Sequence, residues 1–237
     1  MRFKLGNNCS DDRILEVQQV TDRNLRDLAD QKVLAILQRG FFSQAQAAIF
    51  ADKLDEVRGE IGAPPEAVAT ISRALWERQL DAATKFRLGA NYTLPSDRVF
   101  SMLQQAWNRP VRRVRTLGWW EMPFRLAKEG ERVDVHRDDL PAEAIPKKAV
   151  KGSTVITWNV ILANPYFGGE LRVYPPFEGH FTMMPRPAIV KAEVGDLVLI
   201  NGSLRHEVEE IIQGSRCIAR GFAWFKAGAE MVLPYRI

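Results

Sequence analysis

From about residue 111 to its end, the chain consists of short apolar runs separated by residues that favour turns. The strand candidates are Arg125–Ala127, Arg132–His136, Thr154–Leu162, Glu170–Tyr174, Ala188–Lys191, Leu197–Ile200, His206–Ile211 and Arg216–Phe225. The breaks between them carry turn pairs such as Gly168-Gly169, Pro175-Pro176 and Asn201-Gly202. Many short strands with such turns indicate a β-sandwich or a double-sheet jelly roll, which can hold a small ligand between its sheets.

The first half of the chain predicts helices instead. Apolar residues at helical spacing predict helices over about Asp22–Gln31, Ser43–Val57 with Ser43 as N-cap, Pro65–Phe86 and Ser96–Trp107. Between the first two, the compact run Lys32–Gln38 predicts a strand. We therefore predict an α+β protein of one structural domain, in which a mainly helical region, residues 1–110, packs on and braces a jelly-roll core, residues 111–237.

Composition excludes several classes of protein. With 237 residues, 46% of them hydrophobic and 26% charged, the chain has the composition of a globular protein. It contains no apolar run long enough to span a membrane, and the N-terminus MRFKLGNNCSDDR has no apolar signal-peptide core. Cys9 and Cys217 fit no metal or redox spacing, which favours two reduced thiols. We therefore expect a cytoplasmic protein with no membrane partner; the sequence does not specify its oligomeric state.

The basic residues do not indicate a nucleic-acid partner. The formal net charge is only +4, and the densest basic cluster consists of Arg109, Arg112, Arg113 and Arg115. A nucleic-acid interface would need a longer basic stripe beside a known binding motif, and the sequence has neither. The cluster is better explained as a solvated strand or loop edge, with an anionic substrate as the second explanation.

Two histidines and an aspartate are candidate metal ligands. His136 and Asp138 lie two residues apart, so on an extended strand both side chains point to the same side. His206 opens a later strand candidate, and the chain has only 3 histidines. Two imidazoles and one carboxylate on one face of an iron ion leave positions open for a co-substrate and oxygen. The alternative is two unrelated histidines near turns, one of them salt-bridged to Asp138.

An arginine on the next strand candidate could bind a carboxylate. Arg216 follows His206 across the turn Gly214-Ser215, and a guanidinium group can bind a carboxylate with two parallel hydrogen bonds. A dicarboxylate that chelates iron at one end would need such a group at the other end. Arg220 has the same strand parity and is the rival candidate. Alternatively, Arg216 is an exposed strand residue paired with Glu207 or Glu209.

Other pocket candidates are weaker. Asn159 shares strand parity with Thr157 and Ile161, and a polar side chain inside a β-barrel usually faces a ligand or water. His180 lies in the loop EGHFTMMPRP and is expected to be a surface residue. Several aromatic residues on or beside strand candidates are expected to belong mainly to the core of the sheets: Trp119, Trp120, Phe124, Trp158 and Trp224.

Four segments resemble the Fe(II)/2-oxoglutarate-dependent oxygenases of the prolyl-hydroxylase-like branch. They are LAILQRGFFSQAQAAIFADKL, RLAKEGERVDVHRD, NPYFGGELRVY and VGDLVLINGSLRHEVEEIIQGSRCIARGFAWF. The resemblance covers about residues 33–57 and 111–226. The features that match the family are the glycine turn before the first ligand, the GGEL hairpin and the closing segment with the distal histidine and arginine. It implies a double-stranded β-helix, which is the jelly-roll core of that family.

The resemblance also implies roles for individual residues. His136, Asp138 and His206 would bind Fe(II), and Arg216 would bind the distal carboxylate of 2-oxoglutarate. Within the branch, the chain is most similar to the standalone small-molecule oxygenases and halogenases of the welwitindolinone type. Those enzymes also have an arginine upstream of the first histidine, so Arg125 becomes a candidate for contacting co-substrate or substrate. A plain sheet arginine is the alternative for Arg125.

The expected function follows from this resemblance. Halogenases replace the carboxylate ligand with glycine, so the presence of Asp138 favours hydroxylation. We expect hydroxylation of an unactivated C–H bond of a small molecule, such as an amino acid or natural-product intermediate. The reaction would consume O2 and convert 2-oxoglutarate to succinate, with ascorbate as support. Desaturation, epimerisation or cyclisation at the same iron site, or a non-catalytic jelly-roll binding module, are the alternatives.

Two departures from the family pattern concern the co-substrate pocket. Many members carry Arg-x-Ser after the distal histidine, whereas this chain has Arg216-Cys217-Ile218. Ala127 stands where prolyl-hydroxylase-like enzymes often have a tyrosine. The complete set of hydrogen bonds to 2-oxoglutarate is therefore not specified by the sequence.

Overall fold

A computed structural model of the chain describes residues 11–60, 69–71, 80–89, 92–115, 124–138, 152–177, 185–226 and 230–235. Its helices are α1 (Asp22–Ala29), α2 (Gln44–Glu60), α3 (Ala82–Leu88) and α4 (Pro95–Ala106). Its strands are β1 (Ile14–Val17), β2 (Ala35–Gln38), β3 (Ala69–Ile71), β4 (Val111–Arg115), β5 (Phe124–Lys128), β6 (Val133–His136), β7 (Thr154–Ala163), β8 (Phe167–Gly168), β9 (Leu171–Val173), β10 (Ala188–Val190), β11 (Leu197–Asn201), β12 (His206–Val208), β13 (Ile211–Gln213), β14 (Ser215–Phe225) and β15 (Met231–Tyr235).

Local side-chain hydrogen bonds begin the two N-terminal helices. The Thr21 hydroxyl accepts a hydrogen bond from the backbone N–H of Asn24, and the Asn24 side chain accepts one from the backbone N–H of Thr21, which forms a capping box before α1. The Ser43 hydroxyl accepts a hydrogen bond from the backbone N–H of Gln46, as predicted for the start of α2.

A nine-stranded main sheet forms the largest part of the fold. Its strand order is β1-β2-β11-β7-β14-β15-β4, while β5 pairs with β14 and β3 pairs with β5. The long strands β7 and β14 are antiparallel neighbours near the middle of this sheet. Residues that alternate along β7 therefore face opposite sides of the sheet, and the two sides have different neighbours.

The helices cover one face of the main sheet. Trp158 on β7 and Leu199 on β11 are buried in one apolar cluster together with Phe50 of α2 and Leu103 of α4. Gly221 lies directly opposite Trp158 in the sheet, where a Cβ atom would lie only 2.3 Å from the tryptophan ring. A glycine is therefore needed at this position for the ring to lie flat over β14.

The other face of the main sheet packs against a minor sheet of four strands, in the order β10-β9-β12-β6. Ile161, Val198 and Ile218 of the main sheet form an apolar cluster with Leu171 and Val190 of the minor sheet. A small two-stranded sheet of β8 and β13 stands beside the two sheets. The space between the sheets therefore has an apolar end, and the polar residues described below lie on the same inner faces.

The structure confirms the predicted mixture of helices and a β-rich second half and corrects some elements. The predicted helix Pro65–Phe86 is wrong in part, because Ala69–Ile71 forms strand β3 against β5. The predicted strand His206–Ile211 is two strands, since the chain leaves β9 after Val208 and pairs with β8 from Ile211 onward.

In the described residues, no helix is both long and apolar enough to cross a lipid bilayer.

Candidate metal centre

His136 and His206 are directly opposite each other on neighbouring strands of the minor sheet. His136 ends β6, His206 begins β12, and the antiparallel register pairs their Cα atoms. The centroids of the two imidazole rings are 4.3 Å apart. Asp138 lies just beyond the end of β6, where its backbone N–H donates a hydrogen bond of 2.8 Å to the carbonyl oxygen of Gly202. The pairing of β6 with β12 and the hydrogen bond between Asp138 and Gly202 thus bring together the three residues that were predicted from the sequence as metal ligands.

The three side chains present their ligand atoms to a common point. One nitrogen of each imidazole and one oxygen of the carboxylate lie within 4.8 Å of one another. The Nε2 atom of His206 is 3.3 Å from Oδ2 of Asp138, and the Nε2 atom of His136 is 3.7 Å from Oδ1. Asp138 and His206 are buried, whereas His136 is half-buried.

Backbone carbonyl groups fix the orientation of both imidazole rings. The Nδ1 atom of His136 lies 2.8 Å from the carbonyl oxygen of Asp134, and Nδ1 of His206 lies 2.9 Å from that of Leu204. A carbonyl oxygen can only accept, so Nδ1 must carry the proton in each ring. The neutral ring then has its lone pair on Nε2, the atom that points toward Asp138. This arrangement is typical of histidines that bind a metal.

The pKa shifts favour a neutral His136 beside an ionised Asp138. Burial lowers the pKa of His136, and the neighbouring His206 lowers it further. Burial acts to raise the pKa of Asp138, but hydrogen bonds and charge from His206, Thr157 and Arg220 outweigh it, so the pKa of this carboxyl is lowered. Neutral histidine and ionised aspartate are the protonation states in which these side chains bind cations.

Thr157 and Gly202 hold the carboxylate of Asp138 in place. The Thr157 hydroxyl, on the inner face of β7, donates a hydrogen bond of 2.5 Å to Oδ2 of Asp138. A Cβ atom on Gly202 would lie 2.6 Å from that hydroxyl oxygen and 3.1 Å from Cβ of Asp138, so only glycine allows this close approach. Sequence reasoning placed Thr157 only on one face of a predicted strand and Gly202 only in a turn, and neither local pattern indicated a contact with Asp138.

We predict that Thr157→Val weakens binding of a divalent metal by about 10- to 100-fold, the usual effect of losing a group that orients a ligand. Valine keeps the shape of the side chain but cannot donate to Asp138. Titration of the purified variant with Ni(II) by calorimetry measures the affinity. Thr154→Val is the matched control, because Thr154 begins the same strand with its side chain on the opposite face. Equal affinities for all three proteins would contradict a role for this hydrogen bond.

Three arginines lie on the inner face of the main sheet near this group. Arg216 and Arg220 are on β14, and Arg125 on β5 lies opposite Ile218, between them in register. Arg216 is buried, whereas Arg125 and Arg220 are half-buried. Within the described residues, the only ion pair that involves any of them joins Arg220 to Asp138, at 4.0 Å.

Burial and mutual repulsion lower the pKa of two of these guanidinium groups. Burial, reinforced by the charges of Arg125 and Arg220, lowers the pKa of Arg216 to about 10. Burial and the charge of Arg220 lower the pKa of Arg125 to about 10, against the opposing influence of Asp138 and Glu131. Both groups still carry a positive charge near neutral pH. A cluster of buried cations with so few carboxylates is costly unless an anion binds to it.

Arg216 lines a cavity of about 260 Å³ that lies beside strand β8. Ile161 and Val198 of the main sheet and Leu171 and Val190 of the minor sheet form its apolar walls. A water molecule takes about 30 Å³ in the liquid, so the cavity has room for a small organic acid. Lys191 and Glu170 line the cavity as well, so two cationic groups and one carboxylate lie beside its apolar residues. Such a space is suited to a short carbon chain with a terminal carboxylate.

The alternative explanation of Arg216 as an exposed residue is not supported. Glu207 and Glu209 interact with Arg172 instead, which is directly opposite Glu207 on β9. Arg172 and these glutamates lie on the outer face of the minor sheet, since His206 and Val208 face inward. Arg216 has no hydrogen bond or ion pair with any described residue.

The remaining sequence candidates fall in different places. Asn159 is buried on the inner face of β7, directly opposite Arg220. Phe124 and Trp158 belong to the apolar cluster under the helices, as expected of core residues. Trp224 is buried on the face of β14 that carries Arg220. His180, Trp119 and Trp120 lie outside the described residues.

Similarity to solved structures identifies the fold of this chain. No protein-family model and no curated protein matches this sequence. Among solved structures, a Pseudomonas putida prolyl-4-hydroxylase is similar at a TM-score of 0.51 and 17% identity, over 86% of this chain and 100% of that chain. HygX from Streptomyces hygroscopicus, with nickel and 2-oxoglutarate bound, is similar at 0.53 and 14% identity, over 87% and 86% of the two chains.

A third similar structure is SnoK, a non-haem α-ketoglutarate-dependent carbocyclase from nogalamycin biosynthesis. Its TM-score is 0.55 at 14% identity, and the match covers 87% of this chain and 83% of that chain. At these identities, the comparisons show that the chain has the same fold as the three proteins. They leave the assignment of an activity to the residues of the site.

Proposed function

We propose that this protein is an Fe(II)- and 2-oxoglutarate-dependent dioxygenase that hydroxylates an unactivated C–H bond of a small molecule. The observation that carries the proposal is the convergence of His136, Asp138 and His206 within 4.8 Å, with the Nε2 atoms of the two histidines 3.7 and 3.3 Å from the carboxylate oxygens of Asp138. A set of two imidazoles and one carboxylate suits Fe(II) and leaves coordination positions open. The fold shared with the prolyl-4-hydroxylase, HygX and SnoK supports the same proposal.

The residues have separable tasks in this proposal. His136, Asp138 and His206 hold the iron, and Thr157 keeps the carboxylate of Asp138 ionised and oriented. Arg216 binds the distal carboxylate of 2-oxoglutarate at the inner end of the cavity with apolar walls. When bound, iron would activate O2 with two electrons from the oxidative decarboxylation of 2-oxoglutarate, so that one oxygen atom goes to succinate as CO2 is lost and the other goes to the substrate.

Three other sequence-derived assignments belong to the same proposal. The two facing sheets contain the double-stranded β-helix of this enzyme class, whose strands come from residues 111–237. Strands β1, β2 and β3 from residues 1–110 extend the main sheet, and the helices of that region brace it. Asn159 and Arg125 face the pocket from β7 and β5 and contact the bound ligands. Ascorbate supports turnover by returning the iron to its reduced state.

Cyclisation at the same iron site is the second candidate function. SnoK, which has the same fold, is a carbocyclase. The metal ligands do not distinguish hydroxylation from cyclisation, because both begin at the same C–H bond. The mass of the product separates them: hydroxylation adds one oxygen atom, whereas ring closure removes two hydrogens.

The proposal is tested by incubating the protein anaerobically with Fe(II), ascorbate, 2-oxoglutarate and a library of small molecules, and then admitting O2. We expect succinate to form in step with one oxidised product, and neither to form without O2. Mass spectrometry identifies the product. If 2-oxoglutarate does not bind to the metal-loaded protein, and no library member triggers succinate formation, the proposed activity is wrong.

A further inference from the structure

Arg125 and Arg220 remain without an assigned ligand once the co-substrate has been placed, although Arg220 lies 4.0 Å from the carboxylate of Asp138. Arg216 accounts for one carboxylate of 2-oxoglutarate, and the metal accounts for the other. Arg125 and Arg220 still lie on the inner face, and the Nε atom of each is buried without a hydrogen-bond partner. Buried donors of this kind are rare in folded proteins unless a ligand completes them.

The balance of charges around these arginines also indicates that an anionic ligand binds here. Among the residues that the structure describes, three guanidinium groups lie in this region, and the buried carboxylates that act on them are Asp138 and Glu131. The charges of Fe(II) and of the 2-oxoglutarate dianion cancel, so their binding leaves the excess positive charge unchanged. A residual cation in a partly desolvated pocket favours one more anion.

The position of Arg220 places that anion near the reacting end of the site. One terminal nitrogen of Arg220 lies 4.0 Å from Oδ1 of Asp138, the carboxylate oxygen on the His136 side. Arg220 is also directly opposite Asn159, whose buried amide offers both a donor and an acceptor. The side chain of Arg220 is 21% exposed, so it is reached from the open side of the pocket.

We propose that the substrate of this enzyme is a small carboxylic acid, whose carboxylate binds Arg220 and Arg125 beside Asn159. The inference rests on the proposed function, because it assumes that metal and co-substrate occupy the rest of the site. A guanidinium group matches the planar geometry of a carboxylate, and two of them hold it in a fixed orientation. The carbon chain of the acid then extends from Arg220 toward the metal ligands, which presents its C–H bonds to the iron.

The test uses propionate as a probe and propionamide, its neutral analogue, as the comparison. The protein is saturated with Ni(II), which binds without turnover, and with 2-oxoglutarate; each probe is then titrated at constant ionic strength. Calorimetry gives the affinities, and the midpoint of thermal unfolding gives an independent measure of binding. Wild type, Arg220→Gln and Arg125→Gln are compared. Arg23→Gln is the control, since the side chain of Arg23 is 90% exposed on α1.

We expect propionate, and not propionamide, to bind wild type and Arg23→Gln, with the affinity reduced by at least about tenfold in Arg220→Gln. Equal binding of propionate and propionamide, or propionate binding that Arg220→Gln leaves unchanged, would overturn the inference. So would a loss of 2-oxoglutarate affinity in Arg220→Gln as large as the loss of propionate affinity, because Arg220 would then belong to the co-substrate. Absence of 2-oxoglutarate binding in wild type would instead refute the proposed function.

Discussion

Asp138→Ala should abolish metal binding and, with it, all 2-oxoglutarate turnover. Asp138 is the only carboxylate among the three clustered ligands, and its loss leaves two neutral imidazoles to hold a dication. We expect the affinity for Ni(II) or Fe(II) to fall by more than the roughly 10- to 100-fold typical of losing a group outside the ligand set. Calorimetric titration of the anaerobic protein measures the affinity, and succinate formation measures the turnover.

Asp134→Ala is a closely matched control for this experiment. Asp134 lies on the same strand as His136, but its contact with that histidine is made by its backbone carbonyl, and its side chain is 81% exposed. Removal of this side chain should therefore leave metal affinity unchanged. If Asp138→Ala retains full turnover while its fold is intact, Asp138 does not belong to the ligand set.

Arg216→Met should weaken the binding of 2-oxoglutarate by about 10- to 100-fold while leaving metal affinity unchanged. A charge-assisted hydrogen bond is worth about 1.5–3 kcal/mol, and each 1.4 kcal/mol is tenfold in affinity. Methionine fills similar space without a charge, and replacing a buried, unpaired cation is expected to preserve or raise the stability of the ligand-free protein. Calorimetry with the Ni(II)-loaded protein measures the affinity for 2-oxoglutarate.

Arg220→Met is the informative comparison, because Arg220 lies on the same face of β14 but closer to Asp138. An unchanged affinity for 2-oxoglutarate in Arg216→Met, with a loss in Arg220→Met, would assign the distal carboxylate to Arg220. A fall in metal affinity in Arg216→Met would instead indicate that the substitution disturbs the whole pocket. The thermal unfolding midpoint of each ligand-free variant reports whether its fold is preserved.

Strand alternation made part of the site predictable. The inward direction of Asn159, Arg216 and Arg220 follows from the two-residue period of β7 and β14, which the turn residues around each strand define. The position of Asp138 does not follow from that period, because β6 ends at His136. A hydrogen bond to Gly202 and another from Thr157 hold Asp138 instead, and these contacts join residues from three segments of the chain.

Pairing between distant strands explains what the sequence could not show. His136 meets His206 through the register of β6 against β12, and no local pattern encodes a register between segments so far apart. The choice between the two explanations of Arg216 also depended on register, since Arg172 pairs with Glu207 and Glu209 only because β9 lies beside β12. The helix predicted through Ala69–Ile71 was wrong because pairing with β5 outweighed a weak helical pattern.

Among the described strands, β6 lies at the edge of the minor sheet, so a bound metal would also stabilise this strand. The pairing of β6 with β12 is irregular between His136 and Val133. An ion bound by His136, Asp138 and His206 would fasten this otherwise weakly anchored edge to its neighbour. Chelation should therefore accelerate amide exchange along β6 and expose it to proteolysis, while the central strands β7 and β14 keep their protection.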